Sequence, residues 1–269
     1  MSNVFNFSRF GKYFIYDLRN LIARYGVSLL VLGLLPLAWY IVTVVPSSIF
    51  SGVSLPSFGT RIGLFWVTTM ITFIIFPSRV YGRLTNKEDG SDWLLIPASR
   101  LEKFLSMLIV CLVVVPLAFL AMYSLTDWLL SLADPRYGQA LATYNVNEVM
   151  FSPEDEEYIR LTGRGFWAVW LGLIPVIMIM LLGALVWKKG KVGKTILVLM
   201  GIGIVFSLIG VAVANGVNFD FPSEKLEALA YHVNNHAQLY LNLLVWLHTG
   251  FWAILSGTGI WFALKNLKH

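Results

Sequence analysis

Residues 79–104 read RVYGRLTNKEDGSDWLLIPASRLEKF, the one long polar interruption in the first half of a mostly apolar chain. The stretch carries charges of both signs, a Gly-Ser step at Gly90 and Ser91, an apolar run from Trp93 to Ile96, and then Pro97. Uncharged apolar segments flank it, residues 62–76 before and 105–125 after. A helix crosses a hydrocarbon core of about 30 Å with roughly 20 such residues, and a shorter one extends by a turn or tilts little. A loop that only reversed the chain could be far shorter, so the extra residues call for another role.

Outward from this stretch the same composition continues. The chain is 57% hydrophobic and 13% charged, with a mean hydropathy of +0.71. Soluble domains carry about 25% charged residues. The reading is an all-α, polytopic integral membrane protein forming a single transmembrane domain over residues 1–269. Its expected spans are 26–45, 62–76, 105–125, 166–187, 196–214 and 239–264, with Pro36 and Pro116 inside spans, where membrane helices tolerate proline. The first apolar run begins near Gly26 and has no small-residue cleavage site after it, so the first span is expected to stay in the protein.

Ahead of that span, residues 8–24 place Phe10, Tyr13, Phe14, Leu18, Leu21 and Ile22 on one helical face. Arg9, Lys12, Arg19 and Asn20 fall elsewhere. Such a basic amphipathic helix is expected to lie in the headgroup plane, with Ser8 as its cap. The alternative is a polar extension of the first span. Residues 131–164 form a long acidic segment containing Glu154, Asp155, Glu156 and Glu157, and residues 223–236 read as a short helix with Ser223 near its start. Asp127 and Trp128 mark the interfacial end of the third span.

Six spans place both termini on one side. Of the 20 Lys and Arg residues, all but Arg61, Arg136, Arg160, Arg164 and Lys225 fall on the side of the termini, the 79–104 stretch and the basic turn KKGKVGKT at residues 188–195. By the positive-inside rule that side is cytoplasmic, which predicts a multi-pass protein of the cytoplasmic (inner) membrane, with residues 131–164 facing outward. The net charge of +5 is dispersed at span ends, so nucleic acid is not an expected partner, whereas membrane lipids are.

Motifs for chemistry are sparse. Gly193, Lys194 and Thr195 resemble the tail of a phosphate-binding loop, but position 188 is Lys rather than Gly and an apolar span precedes it. His232 and His236 stand four apart, with Glu227 upstream and His248 further on; a third ligand would have to be guessed, and no metal or other cofactor is expected. His248 falls inside an expected span, which makes it a pathway candidate, although a His bonded to a neighbouring helix would read the same. Other acids fall in loops or at span ends, so a relay of buried carboxylates lacks its parts. The single Cys111 supports no disulfide framework. Gly201, Gly203 and Gly210, with Gly190 and Gly193 ahead of them, permit close helix packing in the fifth span. No segment assembles a nucleophile, base and oxyanion site, and the chain is not expected to be an enzyme.

Within the cytoplasmic stretch, Glu88 and Asp89 precede Gly90 and Ser91. Trp93, Leu94 and Leu95 follow, then Pro97, Ala98, Ser99 and Arg100 lead into Lys103 and the next span. This order resembles the loop between spans two and three of the permease subunits of type-2 ABC exporters. The six-span plan, the amphipathic N-terminal helix and the short helix before the last span are also similar to that family, while the long acidic outer segment departs from it. The resemblance implies that the loop is a coupling helix docking on a separate ABC-type ATP-binding subunit, with Glu88, Asp89, Trp93, Leu94 and Arg100 carrying the coupling. It also implies a dimer with a second permease copy or a paralogue. An apolar Trp93, Leu94 and Leu95 cluster in a charged frame suits a protein hot spot; the same cluster could instead lie on the bilayer surface. A non-transporting sensor or scaffold using the acidic outer segment is the alternative function.

Overall fold

Pro36, Pro116 and Gly190 mark three places where the helical backbone breaks, changes register or turns. The structure, a computed structural model, describes residues 5–49, 58–141, 165–216 and 223–266. Most of the described residues are helical, and none of them lies in a strand.

Helix α1 spans Phe7–Gly33 and is capped by Asn6, whose side chain accepts from the N–H groups of Ser8 and Arg9. The cap is therefore Asn6 rather than Ser8. No break separates an interfacial helix over 8–24 from the first apolar run. Gly26 alone costs a helix only about 1 kcal/mol, and the break falls instead at Leu34, just ahead of Pro36, which has no N–H to continue the ladder. The helix expected to stand apart over 8–24 is thus corrected to the first part of one continuous rod, and its Tyr13, Asp17 and Leu21 face is buried in protein. Helix α2 follows over Leu35–Ile49.

Helix α3, Phe58–Val80, has 23 residues, about 34 Å at 1.5 Å per residue, roughly a turn longer at each end than the apolar run alone. A 3₁₀ turn at Gly82–Thr85 leads to α4, Lys87–Leu95. Next come α5, Arg100–Ile109, a π-helical turn at Val110–Val114, and α6, Val115–Ala133. The wider turn sits immediately before Pro116, where a missing N–H would interrupt the tighter register. A 3₁₀ turn at Pro135–Tyr137 closes this half. The second half contains α7, Gly165–Val186, and α8, Lys191–Gly216, joined by a tight turn in which Gly190 takes φ +63, a value favouring glycine. It ends with α9, Ser223–Asn266, so the separate helix expected over 223–236 is continuous with the last apolar run. Residues 142–164, which hold the acidic run at Glu154, lie outside the described residues.

Among the described residues, four helical stretches are long and apolar enough to cross a membrane: Phe7–Pro46, Gly59–Thr85, Arg100–Ala133 and Lys191–Leu208. Gly172–Val186 is apolar but shorter. Helix α7 is the centre of the packing, against α3, α8 and α9, while α1 packs on α5 and α6 and α2 packs on α6. Phe73, Met107, Val110, Ile177 and Leu181 fill the core between them. Small residues permit close approach of helix backbones. It occurs at Gly33, where an added Cβ would stand 2.6 Å from Met122 Cβ, and at Gly183, where it would stand 1.8 Å from Thr195 Oγ1. The hydroxyls of Thr68, Thr69 and Thr72 donate to carbonyls four residues back at 2.7 Å, which satisfies them inside an apolar helix.

Candidate functional site

The Ser99-x-x-Glu102 spacing starts α5 with a capping box. Ser99 Oγ accepts from the Glu102 N–H at 3.2 Å, and the Ser99 N–H donates to Glu102 Oε2 at 2.8 Å. Glu102 then gathers the N-terminus of α1: Arg9 donates Nε at 2.7 Å and Nη2 at 2.7 Å, and the Asn6 N–H donates at 2.9 Å. One carboxylate therefore holds the starts of two helices that are far apart in sequence.

One turn further along α1, Tyr13 Oη accepts the indole N–H of Trp93 at 3.0 Å. Lys103 Nζ donates to the Trp93 carbonyl at 2.6 Å and stands 4.5 Å from the centre of its ring, a cation–π distance. Trp93 is only 7% exposed. The expectation that it forms an exposed docking cluster with Leu94 and Leu95 is corrected on this point: Trp93 is the buried root of α4, and Leu94 at 37% and Leu95 at 76% are the exposed part. An indole has an N–H that must be satisfied when buried, and Tyr13 supplies the acceptor. Arg100, the first residue of α5, is exposed. Glu88 and Asp89 lie in α4, and their side chains are outside the described residues.

Next on the same face of α1, Asp17 Oδ2 accepts from the hydroxyls of Tyr81 at 2.9 Å and Ser106 at 2.7 Å. Tyr81 follows α3 and Ser106 lies in α5, so this carboxylate joins three segments. A cavity of about 120 Å³ opens beside it, between α1, the 3₁₀ turn and α4. The basic turn reaches the same region: Lys191 Nζ donates to the Gly82 carbonyl and to Thr85 Oγ1. That lysine is a structural tie as well as a charge at a helix end.

A second polar cluster lies at the opposite end of α3. Arg61 pairs with Asp127 at 2.7 Å, and the two side chains are 3% and 2% exposed. Arg61 also donates to the carbonyls of Tyr137 at 3.0 Å and Gln139 at 2.9 Å, and lies 4.0 Å over the Tyr137 ring. Asp127 further accepts from the Tyr137 hydroxyl at 2.8 Å and the Leu141 N–H at 2.7 Å. Beside this clamp, Asp134 accepts from Arg136 Nη2 at 2.8 Å and from the Tyr40 hydroxyl at 2.9 Å. The hydrogen bonds from Arg136 hold the Asp134 carboxyl down at about 2.

Asp17 and Asp127, read from the sequence as lying outside the middle of any span, are both inside helices and buried in protein, Asp127 toward the end of α6. His248 is exposed on α9, with its ring centre 6.3 Å from that of Trp252 in an edge-on arrangement. The side chains of His232 and His236 lie outside the described residues. Among the described residues, no three His, Cys, Asp or Glu side chains come together as a metal site. Gly201 and Gly203 face open space rather than another helix, and the surroundings of Gly210 lie outside the described residues. The close helix approach of this half is instead at Gly183, one helix earlier. No family model, curated protein or solved structure matches the chain.

Proposed function

We propose that the chain is the membrane-spanning permease subunit of an ABC-type exporter, moving its substrate with energy from a separate ATP-binding subunit. The observation that carries this reading is the construction of α4. It is a short helix anchored from behind at Trp93, by Tyr13 and Lys103, and presents Leu94 and Leu95 outward. An exposed apolar pair on a rigid base is suited to a partner's groove, and a base tied to α1 and α5 is suited to pass on the partner's movement. The order of residues in the 79–104 stretch supports the same family. On this reading α7 and α9 complete six spans with the four long apolar stretches. Both termini and α4 lie in the cytoplasm, in keeping with the charge bias.

Exposed Leu95 and buried Trp93 separate docking from transmission. The protein is purified from its native membrane, and an accompanying ATP-binding-cassette ATPase is sought by mass spectrometry and ATP hydrolysis. Replacing Leu94 and Leu95 together by Asp is expected to lose the ATPase while the membrane level of the chain is unchanged. Trp93→Phe is expected to keep the ATPase bound but lower substrate-stimulated hydrolysis. Retention of the ATPase by the double Asp variant defeats the docking assignment, and a wild-type protein that purifies without any such ATPase defeats the permease reading.

A further inference from the structure

The basic turn between α7 and α8 carries four lysines in two different roles. Lys191 turns inward and is tied to the Gly82 carbonyl and Thr85 Oγ1. Lys188, Lys189 and Lys194 are exposed, and among the described residues no carboxylate is paired with any of them. Lys194 folds back across the turn: its Cε stands 3.8 Å from where a Cβ on Gly190 would be, and its Nζ 5.4 Å from the centre of the Trp187 ring. Three unpaired ammonium groups thus share one short turn with a half-buried indole, where two apolar helices meet. Next to them the surface is apolar and open, with Val186 52%, Leu197 68% and Val198 47% exposed. Lys194, Val198, Gly201 and Val205 follow one another at the spacing of a single helical face. All four are exposed, and a Cβ added at Gly201 would meet nothing within 4 Å.

We propose that this turn and the adjoining face of α8 bind an anionic phospholipid. Its phosphate meets Lys188, Lys189 and Lys194, and an acyl chain lies along Val198, Gly201 and Val205. A soluble anion would use the lysines and leave the apolar row uncovered. A zwitterionic lipid would cover the row but bring no net charge to three ammonium groups. An anionic lipid matches both features. Side chains on a helix lean toward its N-terminus, so Lys194 reaches from α8 toward the headgroups while its stem covers apolar surface. Trp187 is an aromatic suited to the same level. The inference goes beyond the coupling reading, since it requires α7 and α8 to cross the membrane but neither an ATPase nor transport.

The test is native mass spectrometry of the purified full-length protein, titrated with phosphatidylglycerol and phosphatidylcholine of matched chains and, in competition, with inorganic phosphate. One lysine near an anionic membrane surface is worth roughly fivefold in binding, so wild-type protein is expected to prefer phosphatidylglycerol by about fivefold or more. Lys188→Gln, Lys189→Gln and Lys194→Gln combined is expected to abolish that preference and leave binding of phosphatidylcholine unchanged. The three side chains are exposed and unpaired, so the variant is expected to fold. Lys12→Gln removes the same charge from an exposed site on α1 and is expected to keep the preference. Equal binding of the two lipids by wild-type protein overturns the proposal without recourse to any variant, as does a preference that survives in the triple variant. A loss as large in Lys12→Gln reduces the effect to net charge and overturns the site. Displacement of the lipid by an equal concentration of phosphate assigns the turn to a soluble anion and overturns it as well.

Discussion

Trp93 and Tyr13 are joined by one hydrogen bond of 3.0 Å, indole N–H to phenol oxygen, with both side chains buried. Through it α4 is fastened to α1 rather than merely resting on it. The bond is directional, so it fixes how α4 is rotated as well as where it lies.

Tyr13→Phe keeps the ring and removes the acceptor, which leaves a buried indole N–H without its partner. A loss of about 1 to 3 kcal/mol is expected, seen as a lowered midpoint in thermal unfolding of the detergent-solubilised protein. Tyr16→Phe, at an exposed neighbour on the same helix, is the control and is expected to melt as the wild type does.

Arg61 and Asp127 behave differently when changed singly and together. Removing either partner strands a buried charge and is expected to cost about 3 to 5 kcal/mol, whereas Arg61→Met with Asp127→Leu is expected to recover much of the loss. A double-mutant cycle on unfolding measures the difference. Additive losses would mean that the pair is not coupled.

Gly183→Ala forces a Cβ toward Thr195 Oγ1, a buried side chain on α8. The expected cost is about 1 to 3 kcal/mol, the range for overpacking, with partial rescue by Thr195→Ala. Gly203→Ala enters open space and is expected to be neutral or stabilising by up to about 1 kcal/mol through helix propensity. A drop in dimer population with Gly203→Ala, read by crosslinking in the membrane, would instead place a second copy against that face.

Asp134 sets a pH dependence. Its carboxyl is held at about 2 by Arg136, below the ordinary value of about 3.9, so its charged form is favoured by folding. The contribution is present above about pH 4 and is lost as pH falls toward 2. The stability difference between wild type and Arg136→Gln is therefore expected at neutral pH and to vanish over that interval, as followed by unfolding midpoints.

Much of the helical layout could be read from apolar run length. The 166–187 run is α7 almost to the residue, and Pro116 stands beside the only π-helical turn among the described residues. Helix joins were harder to read, because a polar segment such as 8–24 is compatible with either a separate helix or a continuation. The choice was made by proline, which breaks the rod at Leu34 and nowhere earlier. The polar site was only partly legible. Ser99-x-x-Glu102 carries the signature of a capping box, and Tyr13, Asp17 and Leu21 have the spacing of one helical face. Nothing local to Asp17 names Tyr81 or Ser106 as its partners, because those lie 64 and 89 residues away in sequence. Trp93 was assigned to the surface since an apolar run in a charged frame has no periodicity that says which of its members turns inward.

The unbroken run of α1 has a mechanical consequence. From Tyr13 to Gly33 the rod is about 30 Å long at 1.5 Å per residue, gripped near one end by Trp93 and pressed against Met122 near the other. A tilt of about 5° imposed at the gripped end swings the far end by roughly 2.5 Å over that length. The single non-helical residue at Leu34 then acts as a knuckle, letting α2 take up the swing without α1 having to bend.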